Sequence, residues 1–201
     1  YKLGKKEGLF ARLIIFMPSM MSFAVIALLF KFILNDQTGP LNNFLRAVGL
    51  GKFALVWLSE RHLVIPIMAI VSAWRGSGSI MILFYAALQM IPSSLLESSK
   101  LDGATYMTQI RYILVPLISP IIKLQTVMTL IGAFKSYDIV RVMTNGGPGM
   151  DSYTVPLLML DTGFQYREFG LAAAMGCILT LAILLVIGIL NRTLKGESYE
   201  Y

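Results

Sequence analysis

The chain has 201 residues, 56% of them hydrophobic and only 14% charged, with a mean hydropathy of +0.71 and a formal net charge of +6. An ordinary soluble domain carries about 25% charged residues, so the composition excludes a soluble core and points to an all-α integral membrane protein. The basic residues form no dense patch, which sets nucleic acid aside as a partner. A single cysteine and a single histidine leave no intrachain disulfide and no cluster for a catalytic metal.

Crossing a bilayer takes about 20 apolar residues, and four segments are long enough. The first runs from Leu9 to Leu34, with Pro18 expected to kink it. The Asn35–Arg61 connection is polar and turn-rich, with Gly39-Pro40 and Gly49-Leu50-Gly51. The second segment, Leu63 to Met90, is expected to be interrupted at Trp74-Arg75-Gly76-Ser77-Gly78. A polar connection, Pro92 to Leu114, leads to the third segment, Val115 to Phe134, which contains Lys123. The Tyr137–Glu168 connection carries the turn cluster Asn145-Gly146-Gly147-Pro148-Gly149. It also holds Val155 to Leu160, too short to span and expected as an interfacial helix or lid. The fourth segment, Phe169 to Leu190, has a small-residue face at Gly170, Ala172, Ala173, Ala174 and Gly176, read as packing within the bundle. Cys177 is expected to be a small buried packing residue there. His62, beside Glu60 and Arg61, reads as interfacial. The start at Tyr1 shows no signal-peptide pattern and resembles the middle of a longer arrangement.

With four spans, both termini and the middle connection fall on one side. That side collects Lys2, Lys5, Lys6, Arg12, Lys100, Arg111, Arg192 and Lys195, against Arg46, Lys52, Arg61, Arg141 and Arg167 on the other. Lys and Arg concentrate on cytoplasmic loops, so the termini and the Pro92–Leu114 connection are expected in the cytoplasm.

That connection is more than a spacer. Ser94-Leu95-Leu96-Glu97 fits a capping box, in which the serine accepts from a helical amide and the glutamate reaches back. A short helix over Leu95–Leu101 is expected to end at Asp102-Gly103, where glycine suits the left-handed position past a helix end. A second helix is expected over Ala104–Leu114, with Pro116 just past its end. Ile110, Ile113 and Leu114, beside Tyr106 and Tyr112, give more apolar surface than a solvated loop needs, and such surface usually meets a partner. Among the spans, Arg75 is the candidate for a substrate pathway, because an intramembrane arginine is costly and faces a cavity or the bundle interior. The alternative is that it pairs with a carboxylate or backbone carbonyl and only holds helices together. Trp74, Tyr85 and Tyr137 are candidates for stacking on a ring, or simply for packing.

At Glu97–Pro120 the chain resembles the permease subunits of binding-protein-dependent ABC importers. Their signature is Glu-Ala-Ala, two residues, Asp-Gly-Ala, then an Ile/Leu-Pro pattern about a dozen residues on. Glu97, Asp102-Gly103-Ala104, Ile113, Pro116 and Pro120 fall on it, with Ser98 and Ser99 for the alanines, Ile110 where an aromatic is common and Val115 where leucine is common. Further resemblance to the carbohydrate (maltose/glycerol-3-phosphate) type comes from Arg12 through Phe16-Met17-Pro18 and from Ala86 through Ile91-Pro92. Tyr137-Asp138 with Met143 through Gly149, and Phe169 through Ala174, add to it.

The resemblance implies a type I ABC importer transmembrane domain over residues 1–201. Four spans are visible, with residues 92–114 as a cytoplasmic coupling loop. It implies six or more spans in the whole protein, so N-terminal spans are expected to be lacking here. It also implies a multi-pass protein of a bacterial or archaeal plasma (inner) membrane, and a permease rather than an enzyme. The implied partners are a second permease in a heterodimer, two ATPase subunits and an extracytoplasmic solute-binding protein delivering a sugar or oligosaccharide. ATP and Mg would sit on the ATPases, with no cofactor on this chain. Glu97, Asp102, Gly103, Ala104, Ile110, Ile113 and Pro116 are the implied ATPase-coupling residues. Two alternatives are the same machinery for a non-sugar solute and a self-sufficient secondary transporter. A membrane enzyme lacks any paired carboxylates or metal cluster in the spans.

Overall fold

Backbone groups in a bilayer must bond within their own segment, which favours helices. A computed structural model describes residues 5–193, with side chains from Gly8 onward, and every regular element among them is helical. Lys2 and Lys195 lie outside the described residues.

The first segment divides. Helix α1 (Lys5–Phe16) passes through a 3-10 turn at Met17–Met20 into α2 (Phe23–Ile33), with a 98° bend between the two stretches. Pro18 lies in that turn, as expected, but the change is larger than a kink. Ser22 caps α2, its Oγ accepting from the Val25 amide at 3.3 Å, so α2 begins as a new helix. Helix α3 (Pro40–Ala47) occupies a stretch whose sequence reads only as turns, and it opens on proline at its first position. Its buried Asn42 donates to the carbonyls of Asp36 and Leu55 and accepts from Trp57 Nε1 at 2.8 Å. That one amide folds the first connection onto itself.

Helix α4 (Arg61–Gln89) runs unbroken through Trp74–Gly78, so the expected interruption there is corrected. Gly78 serves a close crossing instead. A Cβ on it would lie 2.5 Å from the Ile15 carbonyl oxygen and 2.6 Å from Phe16 Cα. Helix α5 (Ser93–Leu101) follows a turn. Then α6 (Tyr106–Gln109), a π turn at Ile110–Leu114 and α7 (Val115–Leu117) form one helical stretch. Pro116 therefore lies inside helix rather than past its end. The proline ring conflicts with the carbonyl four residues back, and the wider π turn before it relieves that conflict. The third span starts later than expected, as α8 (Ser119–Phe134), after a 66° bend at Ile118.

A short helix α9 (Asp138–Met143), also unforeseen, precedes the glycine-rich turn. In that turn Asn145, Gly146 and Gly149 all have positive φ. Helix α10 (Val155–Leu160) is the expected short helix, and it runs on into a π turn at Asp161–Gln165. The last span is α11 (Phe169–Thr193). Among the described residues, α4 and α11 are each long and apolar enough to cross a membrane, and the two bent pairs raise the number to as many as four.

The helices share two ends. The Arg12 guanidinium lies 4.1 Å from the Tyr85 ring centroid, and Lys123 Nζ donates to the Asn191 carbonyl at 3.3 Å. The α1 start, the α4 and α11 ends and the α8 start therefore gather with α5–α7. At the opposite end Lys31 Nζ donates to the Val142 carbonyl at 3.1 Å, and Arg61 pairs with Asp151 at 2.9 Å. The buried cluster lies toward that opposite end: Ile26 and Ala27 of α2, Val64, Met68 and Val71 of α4, Ile139, Val140 and Met143 of α9, and Leu157 of α10. Helices α8 and α11 bury no residue. In α11, Gly176 does meet Met159 of α10, but Gly170 faces open space. Cys177 is exposed, against the expectation of burial, because α11 packs on only one side against the described residues and buries none of its own. Such faces suit lipid or another membrane chain.

Candidate coupling loop and pathway residues

The α5–α6 turn is built from backbone rules. Gly103 has φ +82°, a conformation that disfavours any residue with a Cβ. The Ala104 amide donates to the Ser99 carbonyl at 2.9 Å and the Gly103 amide to the Lys100 carbonyl at 3.0 Å. These two bonds make a Schellman closure, which satisfies the orphan carbonyls at the end of α5. Asp102 is the C-cap residue and is exposed. Thr105 then caps α6, accepting from the Thr108 amide at 3.3 Å.

The predicted capping box is not formed. Helix α5 begins two residues earlier, at Ser93, with Pro92 at the cap and no side-chain cap bond. The fixed φ of proline sets the entry of the chain, and Glu97 is left exposed on α5. The apolar surface is also redistributed. Ala104, Ile110, Ile113, Leu114 and Pro116 are half-buried, whereas Leu101 is 89% exposed and Tyr106, Met107 and Tyr112 are exposed around the turn.

Two polar residues hold the arms together: Ser99, marked in the sequence only as a departure from the signature, and Gln109, which nothing in the sequence singled out. Gln109 is 5% exposed and Ser99 8%. Gln109 Nε2 donates to Ser99 Oγ at 2.8 Å and to the Leu96 carbonyl at 3.1 Å, and Ser99 Oγ donates to that same carbonyl at 2.9 Å. The available signal was a glutamine in an apolar arm, ten residues beyond a serine that replaces a signature alanine.

The four pathway candidates do not converge. Arg75 is half-buried, and its Nε donates to the Met21 carbonyl at 3.0 Å, with the guanidinium 3.8 Å from the Phe23 ring centroid. This is the backbone-carbonyl pairing weighed above, and it fastens α4 to the break in the first segment. Trp74 packs edge-on against Phe30 with centroids 5.5 Å apart. Tyr85 lies about 15 Å farther along α4, at roughly 1.5 Å per residue, under Arg12. Tyr137 precedes α9 and packs on the buried cluster.

The opposite end carries a charged cluster that the sequence did not reveal. Asp161 is buried. It pairs with Arg141 Nη1 at 3.1 Å, accepts from Gln165 Nε2 at 2.8 Å and accepts from the Tyr153 hydroxyl. The hydrogen bond to Asp161, with burial, raises the Tyr153 phenol above its ordinary 10.0. Nearby, a cleft of about 280 Å³ opens between Lys31, Asn35, Asp36 and Ser59 on one side and Thr144, Gly147 and Pro148 on the other.

A family profile described as binding-protein-dependent transport system inner membrane component matches residues 1–195. The chain belongs to that family. Among its relatives, this inner membrane component is 36% identical over 199 residues to the probable ABC transporter permease protein YurN of Bacillus subtilis (strain 168), covering 98% of the chain and 68% of that protein. It is 30% identical over 180 residues to the lactose transport system permease protein LacF of Rhizobium radiobacter, covering 88% of the chain and 60% of that protein. Its fold matches that of a bacterial ABC transporter involved in the import of the acidic polysaccharide alginate, with a TM-score of 0.88 at 23% identity, over 98% of the chain and 68% of that one. The chain thus spans about two thirds of the length of the relatives it matches.

Proposed function

We propose that this chain is the membrane permease subunit of an ATP-driven importer for a sugar or oligosaccharide delivered by an extracytoplasmic solute-binding protein. The observation that carries the ATP-driven part is the α5–α6 turn, a closed helix–turn–helix with Leu101, Tyr106 and Met107 exposed at its tip. Supporting the carbohydrate part, relatives are named for lactose and for arabinooligosaccharides, and a structural neighbour is an alginate transporter in complex with an alginate pentasaccharide-bound periplasmic protein.

In this reading the tip lies in the cytoplasm and seats in a cleft on an ATPase subunit that holds ATP and Mg. Glu97 and Asp102 meet polar or basic groups there, and Gly103 and Ala104 close the turn. Ile110, Ile113 and Pro116 join the second arm to the α8 span. Closure of the two ATPases moves the membrane helices and exposes the pathway to alternate sides. A second permease covers the open faces of α8 and α11, and Trp74, Arg75, Tyr85 and Tyr137 contribute to the pathway between the two. The cleft beside Gly147–Pro148 receives the binding protein.

Deleting Glu97–Ala104 in the full transporter is expected to abolish ATPase assembly and uptake together. Unchanged uptake would instead favour a self-sufficient secondary transporter. Ligand affinities of the cognate solute-binding protein test the substrate class: tight binding of an amino acid with no sugar binding would overturn the carbohydrate assignment.

A further inference from the structure

A lever transmits motion only if its two arms cannot scissor. The α5 arm leads back through Pro92 to α4, and the α6–α7 arm leads forward to α8. The covalent link between the arms is the four-residue turn Asp102–Thr105. The tie closing the triangle above it is the Gln109 carboxamide, which bonds Ser99 Oγ and the Leu96 carbonyl across ten and thirteen residues. Ser99 orients that tie by donating its own proton to the Leu96 carbonyl, which leaves its oxygen to accept from Gln109. Both side chains are buried while the tip beside them is exposed, so the bonds are shielded from competing water where the load would enter.

We propose that Gln109, with Ser99, is the positioning pin of the coupling lever. It transmits ATPase motion to the membrane helices without touching ATP, solute or the ATPase surface. The proposal rests on the ATP-driven permease reading above. Without the pin, the arms change their angle at the tip and the spans stay behind.

The test uses the complete transporter with its ATPase subunits in lipid nanodiscs. A nitroxide is placed at exposed Met150 (Met150→Cys in a Cys177→Ala background), and the probe is MgATP with vanadate. In the parent protein the ATP-trapped state is expected to shift the nitroxide spectrum at the opposite end of the bundle. In Gln109→Leu the ATPase subunits still assemble and hydrolyse ATP, but the shifted population relative to the unshifted one falls about five- to thirtyfold, the equilibrium weight of the one to two net hydrogen bonds lost. Ser99→Thr keeps an acceptor hydroxyl that can back-bond the helix, and it is expected to retain the parental shift.

An unchanged shift in Gln109→Leu would overturn the pin. So would loss of ATPase assembly along with the shift, since Gln109 would then only maintain the loop's fold. No ATP-driven shift in the parent would overturn the permease reading itself and the pin with it.

Discussion

At the scale of single residues, the turn at Gly103 separates conformation from space. A Cβ at Gly103 would meet nothing within 4 Å, yet φ is +82°. Gly103→Val is therefore expected to weaken the loop through backbone strain alone, by about 1–2 kcal/mol. The check is ATPase capture by the purified permease, which should need about five- to thirtyfold more ATPase subunit. Tyr153 gives a pH prediction of definite sign. Its phenol is held above the ordinary 10.0 by the hydrogen bond to Asp161, so the unfolded chain loses that proton first as pH rises. The stabilisation is fully present below pH 10 and is lost as pH climbs through the raised folded value. Tyr153→Phe should lower Tm at neutral pH and flatten the fall of Tm on the alkaline side, read by thermal unfolding in detergent across pH. The Asp161 cluster was not legible beforehand, because Arg141, Tyr153 and Gln165 converge from three different elements.

At the scale of elements, the informative feature is the joint between the first segment and α4. Pro18 announced a disturbance, and Arg75 announced a costly charge, but nothing local said that each answers the other. The 3-10 turn leaves the Met21 carbonyl available, and Arg75, 54 positions later, donates to it. The Gly76-Ser77-Gly78 run suggested loosened helix because glycine weakens helices by about 1 kcal/mol. Gly78 instead buys close contact with Ile15 and Phe16, and the helix survives because its neighbours pack on it. Gly78→Leu is expected to force α1 from α4 and destabilise the fold by about 1–3 kcal/mol, as overpacking does. Arg75→Met should cost about 2 kcal/mol through the lost charged hydrogen bond, with added loss of the Phe23 contact. SDS unfolding of each purified variant measures both.

At the scale of the whole molecule, α8 and α11 bury no residue among the described ones, while the α5–α6 tip presents an exposed leucine. The fold is a bundle with unfinished faces, consistent with one subunit of an assembly. Leu101→Asp separates folding from assembly at the tip. Since Leu101 is 89% exposed, the substitution should change the permease's own stability by less than about 0.5 kcal/mol. It should nevertheless abolish ATPase capture, read by co-purification beside an unfolding curve. A variant that unfolds as readily as it fails to assemble would argue against a docking role for this side chain.

The sequence by itself determined the features that depend on neighbours along the chain. Four apolar segments follow from hydropathy, the turn at Asp102-Gly103 from the conformational freedom of glycine, and the short helix at Val155–Leu160 from segment length. The family signature at Glu97–Pro120 belongs with them, because it is itself a local spacing of turn and helix residues. Only the tertiary structure decided what depends on partners distant in the chain. It set the 98° break of the first segment, the choice of Arg75 for a backbone carbonyl, the pinning of Ser99 by Gln109 and the exposure of Cys177. A buried polar group takes whichever partner the packing brings within about 3 Å. That partner is fixed by how helices cross, which no local run of residues encodes.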